Sequence, residues 1–302
     1  RHALFGIYQA PQGEPAFREQ LAAFLKREFG WPLTAANIAL SNGSQPAFFI
    51  LCNLFAGIMP DGTRRHIHLP LAPEYIGYGD VGLCDHFFTA TRPSIELLED
   101  GLFKYHVDFS RLQPGDETAA LCVSRPTNPT GNVLTDDEIA HLDEIARQRN
   151  IPLIIDGAYG LPFPNILFEE ARPHWNENTI LALSLSKLGL PGVRTGIIVA
   201  REEIIRAFTN ANTIISLACG TLGPALARAL FDSGEILSIT RDHVTPFYRE
   251  RSRQAVAWLR EQLGDLPCHI HKPEGAIFLW LWCEGLPITS QVLYERLKKR
   301  GV

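Results

Sequence analysis

Residues 119–156 read AALCVSRPTNPTGNVLTDDEIAHLDEIARQRNIPLIID. The run begins with an unbroken apolar segment, Ala119–Ser124, and passes into a loop rich in proline, asparagine and glycine from Arg125 to Asn132. Thr135 is followed three residues later by Glu138, a capping box, after which Ile139, Leu142, Ile145 and Ala146 keep helical spacing. A second apolar run, Ile151–Ile155, ends at Asp156. Two strands that lack polar alternation, joined through a helix, require a parallel sheet covered on both faces. Ile180–Leu185 and Gly196–Ala200 repeat the pattern downstream, and His66–Pro70 is a shorter strand upstream. Ala47–Phe55, behind the turn Ser41-Asn42-Gly43-Ser44, is apolar and helical in character. The fold expected is α/β.

The pattern changes from about Thr221. Leu237–Leu263 reads as one long arginine-rich helix broken near Pro246. Strands at Cys268–His271 and Ala276–Trp282 and a final helix from about Thr289 follow. Residues 1–235 are expected to form a large sheet-bearing domain and residues 236–302 part of a smaller α+β domain. The chain opens on Arg1, holds one methionine, Met59, and ends on what reads as the lead-in to another strand, so it reads as part of a longer protein.

Composition narrows the function. The 302 residues carry a net charge of −5, with 28 basic and 33 acidic side chains, which argues against a binder of nucleic acid. No run approaches the ~18 consecutive apolar residues of a membrane helix, and residues 1–15 lack the shape of a secretory signal. The six cysteines, Cys52, Cys84, Cys122, Cys219, Cys268 and Cys283, form no C-x-x-C pair, so no metal site is expected and buried free thiols in a reducing cytoplasm fit best.

Five signals fall at the carboxyl ends of the expected strands, the edge where open α/β sheets bind ligands. Ser41-Asn42-Gly43-Ser44-Gln45 is a strand–turn–helix junction whose free amides suit a phosphate, though the Gly-Lys-Ser/Thr ending of a Walker loop is absent. Lys187 alone among the six lysines follows an apolar strand, which makes it a candidate nucleophilic amine. Asp156 closes a buried strand and needs a partner, whether metal, helix N-terminus or ligand cation. Asn128 lies in the loop after Ser124, and Arg194 lies seven residues after Lys187, placed to hold an anion. Each has an ordinary structural reading alone. Together, an anion site, a strand-end lysine, an aspartate and an asparagine describe a pocket for pyridoxal 5'-phosphate.

At these residues the chain resembles the fold-type I pyridoxal-phosphate aminotransferases. Asn128-Pro129-Thr130-Gly131, Asp156-Gly157-Ala158-Tyr159 and Ser184-Leu185-Ser186-Lys187 with Pro191-Gly192-Val193-Arg194 occur in family order. Leu69–Tyr78, Lys104–Phe109 and His271–Trp280 extend the likeness over essentially the whole chain. The resemblance implies a three-layer α/β/α large domain with a mostly parallel sheet. It implies that Lys187 carries the cofactor and moves the substrate proton, that Asp156 pairs with the ring nitrogen, and that Tyr75 stacks on the ring. Asn128 and Tyr159 would reach its phenolic oxygen. Gly43, Ser44, Gln45, Ser184, Ser186 and Arg194 would surround the phosphate. Tyr8 would reach the phosphate of a neighbouring subunit, so a homodimer with shared active sites is implied.

The reaction implied is amino transfer from an aliphatic L-amino acid, L-valine being expected, to a 2-oxo acid such as pyruvate. The arginine that binds the substrate carboxylate is expected beyond Val302, and a closing segment before residue 1. Tyr75, Ile76 and Phe163 are candidates for contact with the substrate side chain. Another enzyme on the same cofactor, such as a cysteine-S-conjugate β-lyase, would use the same residues. So would a non-catalytic aminotransferase-like sensor, although no helix-turn-helix pattern accompanies it.

Overall fold

The computed structural model describes residues 2–302, with side chains from Leu4 onward. Twelve strands form in chain order among these residues: β1 (Ile38–Ser41), β2 (Gly57–Ile58), β3 (Arg64–Leu69), β4 (Phe88–Ala90), β5 (Ser94–Leu97), β6 (Leu102–His106), β7 (Thr118–Ser124), β8 (Leu153–Asp156), β9 (Thr179–Ser184), β10 (Gly196–Val199), β11 (Cys268–His271) and β12 (Leu281–Cys283). The main sheet runs β1-β10-β9-β8-β7-β3-β2, with β4 also paired to β3. Its centre, β3-β7-β8-β9, is parallel, and β10 and β1 close one edge antiparallel.

Why the central strands lack alternation is visible in where neighbouring side chains go. Along β7, Leu121 and Val123 enter one core and Ala120 and Cys122 the other. The same split separates Ile155 from Ile154 in β8 and Leu181 from Ile180 in β9. Successive side chains point to opposite faces, so a strand covered twice must be apolar throughout. The helices Pro15–Phe29, Asp136–Gln148 and Leu222–Ser233 cover the first face, and Ser44–Phe55 and Glu202–Ser216 the second. The fold is the expected α/β sandwich of helices around a mixed, mainly parallel sheet.

The capping box forms as read: Thr135 Oγ1 accepts from Glu138 N at 3.1 Å, and Glu138 Oε2 accepts from Thr135 N at 2.8 Å. Its other oxygen, Oε1, accepts from Val107 N at 3.0 Å, which ties the helix to the chain leaving β6. Glu138→Ala therefore removes a cap and strands a buried amide. A loss on the order of 2 kcal/mol is expected in denaturant unfolding; a loss no larger than that of an exposed glutamate would refute this role.

Three expectations are corrected. The single helix Leu237–Leu263 is instead Glu235–Ile239, a π-helical turn Thr240–Val244, and Thr245–Leu263. Pro246 sits in the first turn of the last segment, where a missing N–H costs least, and the π turn before it absorbs the irregularity. Of Ala276–Trp282, only Leu281 and Trp282 join a strand. The preceding segment runs as a strap against the loop after β8: Phe168 N donates to Glu274 O at 2.7 Å and Ala276 N to Ile166 O at 2.8 Å. The buried ion pair of Lys104 with Glu274 anchors it. Finally, not all the cysteines are buried. Cys52, Cys122 and Cys219 are, whereas Cys84, Cys268 and Cys283 are half-buried, and all six are free.

A second sheet, β12-β11-β6-β5, joins strands from residues 94–106 with strands from residues 268–283. No helix among the described residues is long and apolar enough to cross a membrane, and no cluster of metal-ligating side chains occurs among them.

Candidate active site

The carboxyl ends of β7, β8 and β9 and the start of helix Ser44–Phe55 open onto one cavity of about 360 Å³. It is lined by Ser44, Gln45, Tyr75, Asn128, Asp156, Tyr159, Ser184, Ser186, Lys187 and Arg194, ten of the eleven residues expected there. The sheet explains the convergence. Ser124 of β7 lies beside Asp156 of β8, and Asp156 beside Ala182 of β9. Parallel strands in register end together, and the three loops that follow share one edge.

Lys187 stands in a single 3₁₀ turn, Ser186–Leu188, directly after β9. Its Nζ lies 5.1 Å from the centre of the Tyr159 ring. Among the described residues it has no hydrogen-bond or ion-pair partner, so the amine is free to react. Burial, with Asp156 nearby, pushes the Tyr159 hydroxyl up to about 12, and Tyr159 stays a donor at neutral pH.

Gly43 does not line the cavity but explains how Arg194 reaches it. A Cβ at residue 43 would collide with the Arg194 guanidinium, and its φ of +103° lies where side chains are strained. Arg194 itself sits in the left-handed region at φ 46°. Gly43 caps helix Ser44–Phe55 without a side-chain hydrogen bond. The helix thus offers uncapped N–H groups next to a guanidinium, a cradle for a doubly charged anion.

Asp156 is buried at the other end. Its Oδ1 accepts from Ala158 N at 2.9 Å and its Oδ2 from the Tyr78 hydroxyl at 2.9 Å. It has no basic partner among the described residues. Desolvation raises its carboxyl to about 6, against the weaker lowering by those two hydrogen bonds. A buried carboxylate with spare lone pairs and no cation is built for a cation that arrives with a ligand.

Gly43 is the one of the eleven outside the cavity lining, and Tyr8, expected at a neighbouring subunit, is 83% exposed. Two candidates for substrate contact are also displaced. Phe163 is fully buried, its ring 5.1 Å from that of Phe231, because it follows a tight loop back into the core. Ile76 is 87% exposed and does not line the cavity. Sequence reading missed Phe48, Ser124, Pro126, Ala158 and Pro191 on the wall. It also missed Glu74 and Tyr78, which join Ser124 and Asp156 behind it. Ser124 was within reach, since it ends β7 as Asp156 ends β8.

A family model for aminotransferase class I and II matches residues 101–302. The chain is 55% identical over 295 residues to valine–pyruvate aminotransferase of Escherichia coli (strain K12), covering 98% of this chain and 71% of the relative. The solved structure of valine-pyruvate aminotransferase AvtA from Salmonella typhimurium LT2 superposes with a TM-score of 0.91 at 54% identity, over 98% of this chain and 74% of that one. A solved structure described as an amino-acid aminotransferase, from Psychrobacter arcticum 273-4, gives a TM-score of 0.96 at 49% identity, over 99% of this chain and 71% of that one.

Proposed function

Because the chain belongs to the class I and II aminotransferases, we propose that it binds pyridoxal 5'-phosphate and moves the amino group of an aliphatic L-amino acid, L-valine foremost, to a 2-oxo acid, pyruvate foremost. The observation that carries this reading is the meeting of Lys187, Asp156 and the Gly43–Arg194 cradle around one cavity. The residues suit the cofactor at each end. The cradle would take its phosphate, Asp156 its ring nitrogen, and Tyr75 a ring face. Asn128 and Tyr159 would reach its phenolic oxygen, with Ser44, Gln45, Ser184 and Ser186 around the phosphate end.

When bound, the cofactor supplies an aldehyde that takes the amino group and a ring that withdraws electrons from the substrate Cα. The chain's own part is then proton handling and orientation. The Lys187 amine would hold the cofactor covalently, and its free Nζ would take up the proton from the substrate Cα and give it back. Asp156, held by Ala158 N–H and Tyr78 O–H, would pair with the ring nitrogen and favour its protonated form. The Tyr75 ring stands edge-on to Tyr78, 5.5 Å between centres at 88°, which fixes its tilt over the cavity. Gln45 Nε2 donates to Gly77 O at 3.1 Å, tying the Tyr75 loop to the helix that bears the cradle.

The remaining readings follow from the same family. Exposed Tyr8, outside its own cavity, suits a role at a second subunit's phosphate in a homodimer. Residues 1–235 are read as the cofactor-binding unit and residues 236–302 as part of a second unit. Free cysteines suit a cytoplasmic enzyme. With protein, pyridoxal phosphate, L-valine and pyruvate, equal amounts of alanine and 3-methyl-2-oxobutanoate are expected. No transfer from any aliphatic donor, with ammonia released from a cysteine conjugate instead, would replace the transaminase by a lyase.

A further inference from the structure

β11 and β12 lie antiparallel, with Cys268 opposite Cys283, His269 opposite Trp282 and Ile270 opposite Leu281. Glu284 N donates to Pro267 O at 2.9 Å, and His271 N donates to Trp280 O at 2.8 Å. Pair types alternate along an antiparallel ladder, so Cys268 and Cys283, one step inside the Pro267–Glu284 bond, form a non-hydrogen-bonded pair. That is where opposing side chains come closest, with Cα atoms about 4.5 Å apart, inside the range a disulfide spans. The two thiols meet there, and Cys268 Sγ donates to Cys283 Sγ at 2.6 Å. On the opposite face the His269 ring stacks on Trp282, 5.0 Å between centres, which holds the register.

From this register we propose that Cys268 and Cys283 are a redox modification site, which hydrogen peroxide converts to a reversible cross-strand disulfide that staples the base of the strap. The inference stands apart from the cofactor reading. Both thiols are half-buried at the outer strand pair of the second sheet, within reach of a small oxidant. Cys52 and Cys122 are fully buried in the core, and buried Cys219 gives its thiol to Leu40 O at 3.0 Å.

The two sulfurs have different parts. Burial pushes the Cys268 thiol up to about 11, and its hydrogen bond to Cys283 adds to the rise. Cys268 therefore keeps its proton while Cys283 supplies the thiolate. The Cys283 sulfur attacks the peroxide O–O bond and becomes a sulfenic acid, and the departing hydroxide takes up the proton Cys283 released, leaving as water. The Cys268 sulfur then attacks the Cys283 sulfur. An S–S bond forms, the S–O bond breaks, and hydroxide leaves as water with the Cys268 proton. Two electrons pass from the thiols to the peroxide, and a dithiol reductant restores both thiols.

The bridge encloses the strap. Between the two cysteines, Glu274 O and Ala276 N bond to the loop after β8, and the Phe278 ring stands 5.5 Å from that of Tyr159 in the cavity wall. Because the sulfurs already face each other, the folded chain moves little. The staple acts by removing conformations in which the strap has come away.

The test treats the full chain with hydrogen peroxide, wild type beside Cys268→Ser, Cys283→Ser and, as a control on a half-buried thiol elsewhere, Cys84→Ser. Remaining thiols are alkylated and the protein is cut after glutamate, which separates the two cysteines at Glu274. In wild type and the control, the two peptides are expected to stay joined, lacking two hydrogens, until a dithiol parts them. Cys268→Ser and Cys283→Ser are each expected to lose that product. Bridged wild type is expected to unfold about 5 °C above the reduced form, with slower amide exchange across residues 272–280. No bridge, a bridge to another cysteine, or sulfinic acid in place of the bridge would overturn the proposal. So would a bridged protein whose unfolding temperature or strap exchange matches that of the reduced form.

Discussion

Lys187→Ala is expected to lose nearly all turnover and almost no stability. The side chain is half-buried, and its Nζ faces the ring of Tyr159. That contact is worth about 0.5–1 kcal/mol, so thermal unfolding should shift by no more than a few degrees. The chemical loss is of another order. General acid–base transfer alone contributes ~10²–10⁴-fold, and the covalent anchor disappears with the same amine. No neighbouring lysine can take over. Lys104 is committed to Glu274, and Lys272 is bound to Glu169 at 2.8 Å. Steady-state rates with L-valine and pyruvate would measure the loss. Borohydride reduction of wild type with cofactor, followed by peptide mapping, should place the label on the Lys187 peptide. A label elsewhere, or a variant that transaminates normally, would end the assignment.

Much of this site was legible because its residues obey a rule that sequence displays. Asp156 and Lys187 each terminate an unalternated apolar run, and such runs are readable as buried parallel strands. Once those strands are parallel and in register, their ends share an edge. The short strands were not legible. β2 has two residues and β5 is exposed along its length, so neither carries a burial pattern. The π turn at Thr240–Val244 has no compositional mark beyond the proline that follows it. Phe163 failed differently. Its place after Asp156 suggested the cavity, but a side chain's depth is set by packing across the fold, here against Phe231. Glu74 and Tyr78 escaped for the same reason, since their partner Ser124 is about fifty residues away in the chain.

The pH dependence of Asp156 gives the second large effect, and its sign reverses with the cofactor. In the cofactor-free protein, burial raises this carboxyl from 3.8 to about 6. Between those values the folded chain holds a proton that the unfolded chain has released, so stability falls as pH rises through the window. A shift of that size is on the order of 3 kcal/mol lost by neutral pH. Asp156→Asn cannot ionise. The amide does surrender one hydrogen bond, because only its Oδ1 can accept, whereas Asp156 accepts from Ala158 N–H and Tyr78 O–H on separate oxygens. That offsets about 1 kcal/mol, and a net gain of roughly 2 kcal/mol over wild type is expected above pH 6. Below pH 4 the advantage should reverse, leaving the variant about 1 kcal/mol less stable than wild type. Glu74, also raised, contributes a further fall in both proteins as pH rises from about 4.5 towards about 8. With pyridoxal phosphate present the order inverts. A ring cation beside Asp156 repays its desolvation, and taking away one partner of a buried pair costs about 3–5 kcal/mol. The variant is expected to bind the cofactor ~10²-fold or more weakly and to remove the substrate Cα proton more slowly. Unfolding temperatures from pH 4 to 8, with and without the cofactor, measure both halves. Superimposable cofactor-free curves would mean that Asp156 bears no desolvation cost. Unchanged cofactor affinity would mean that the ring nitrogen lies elsewhere.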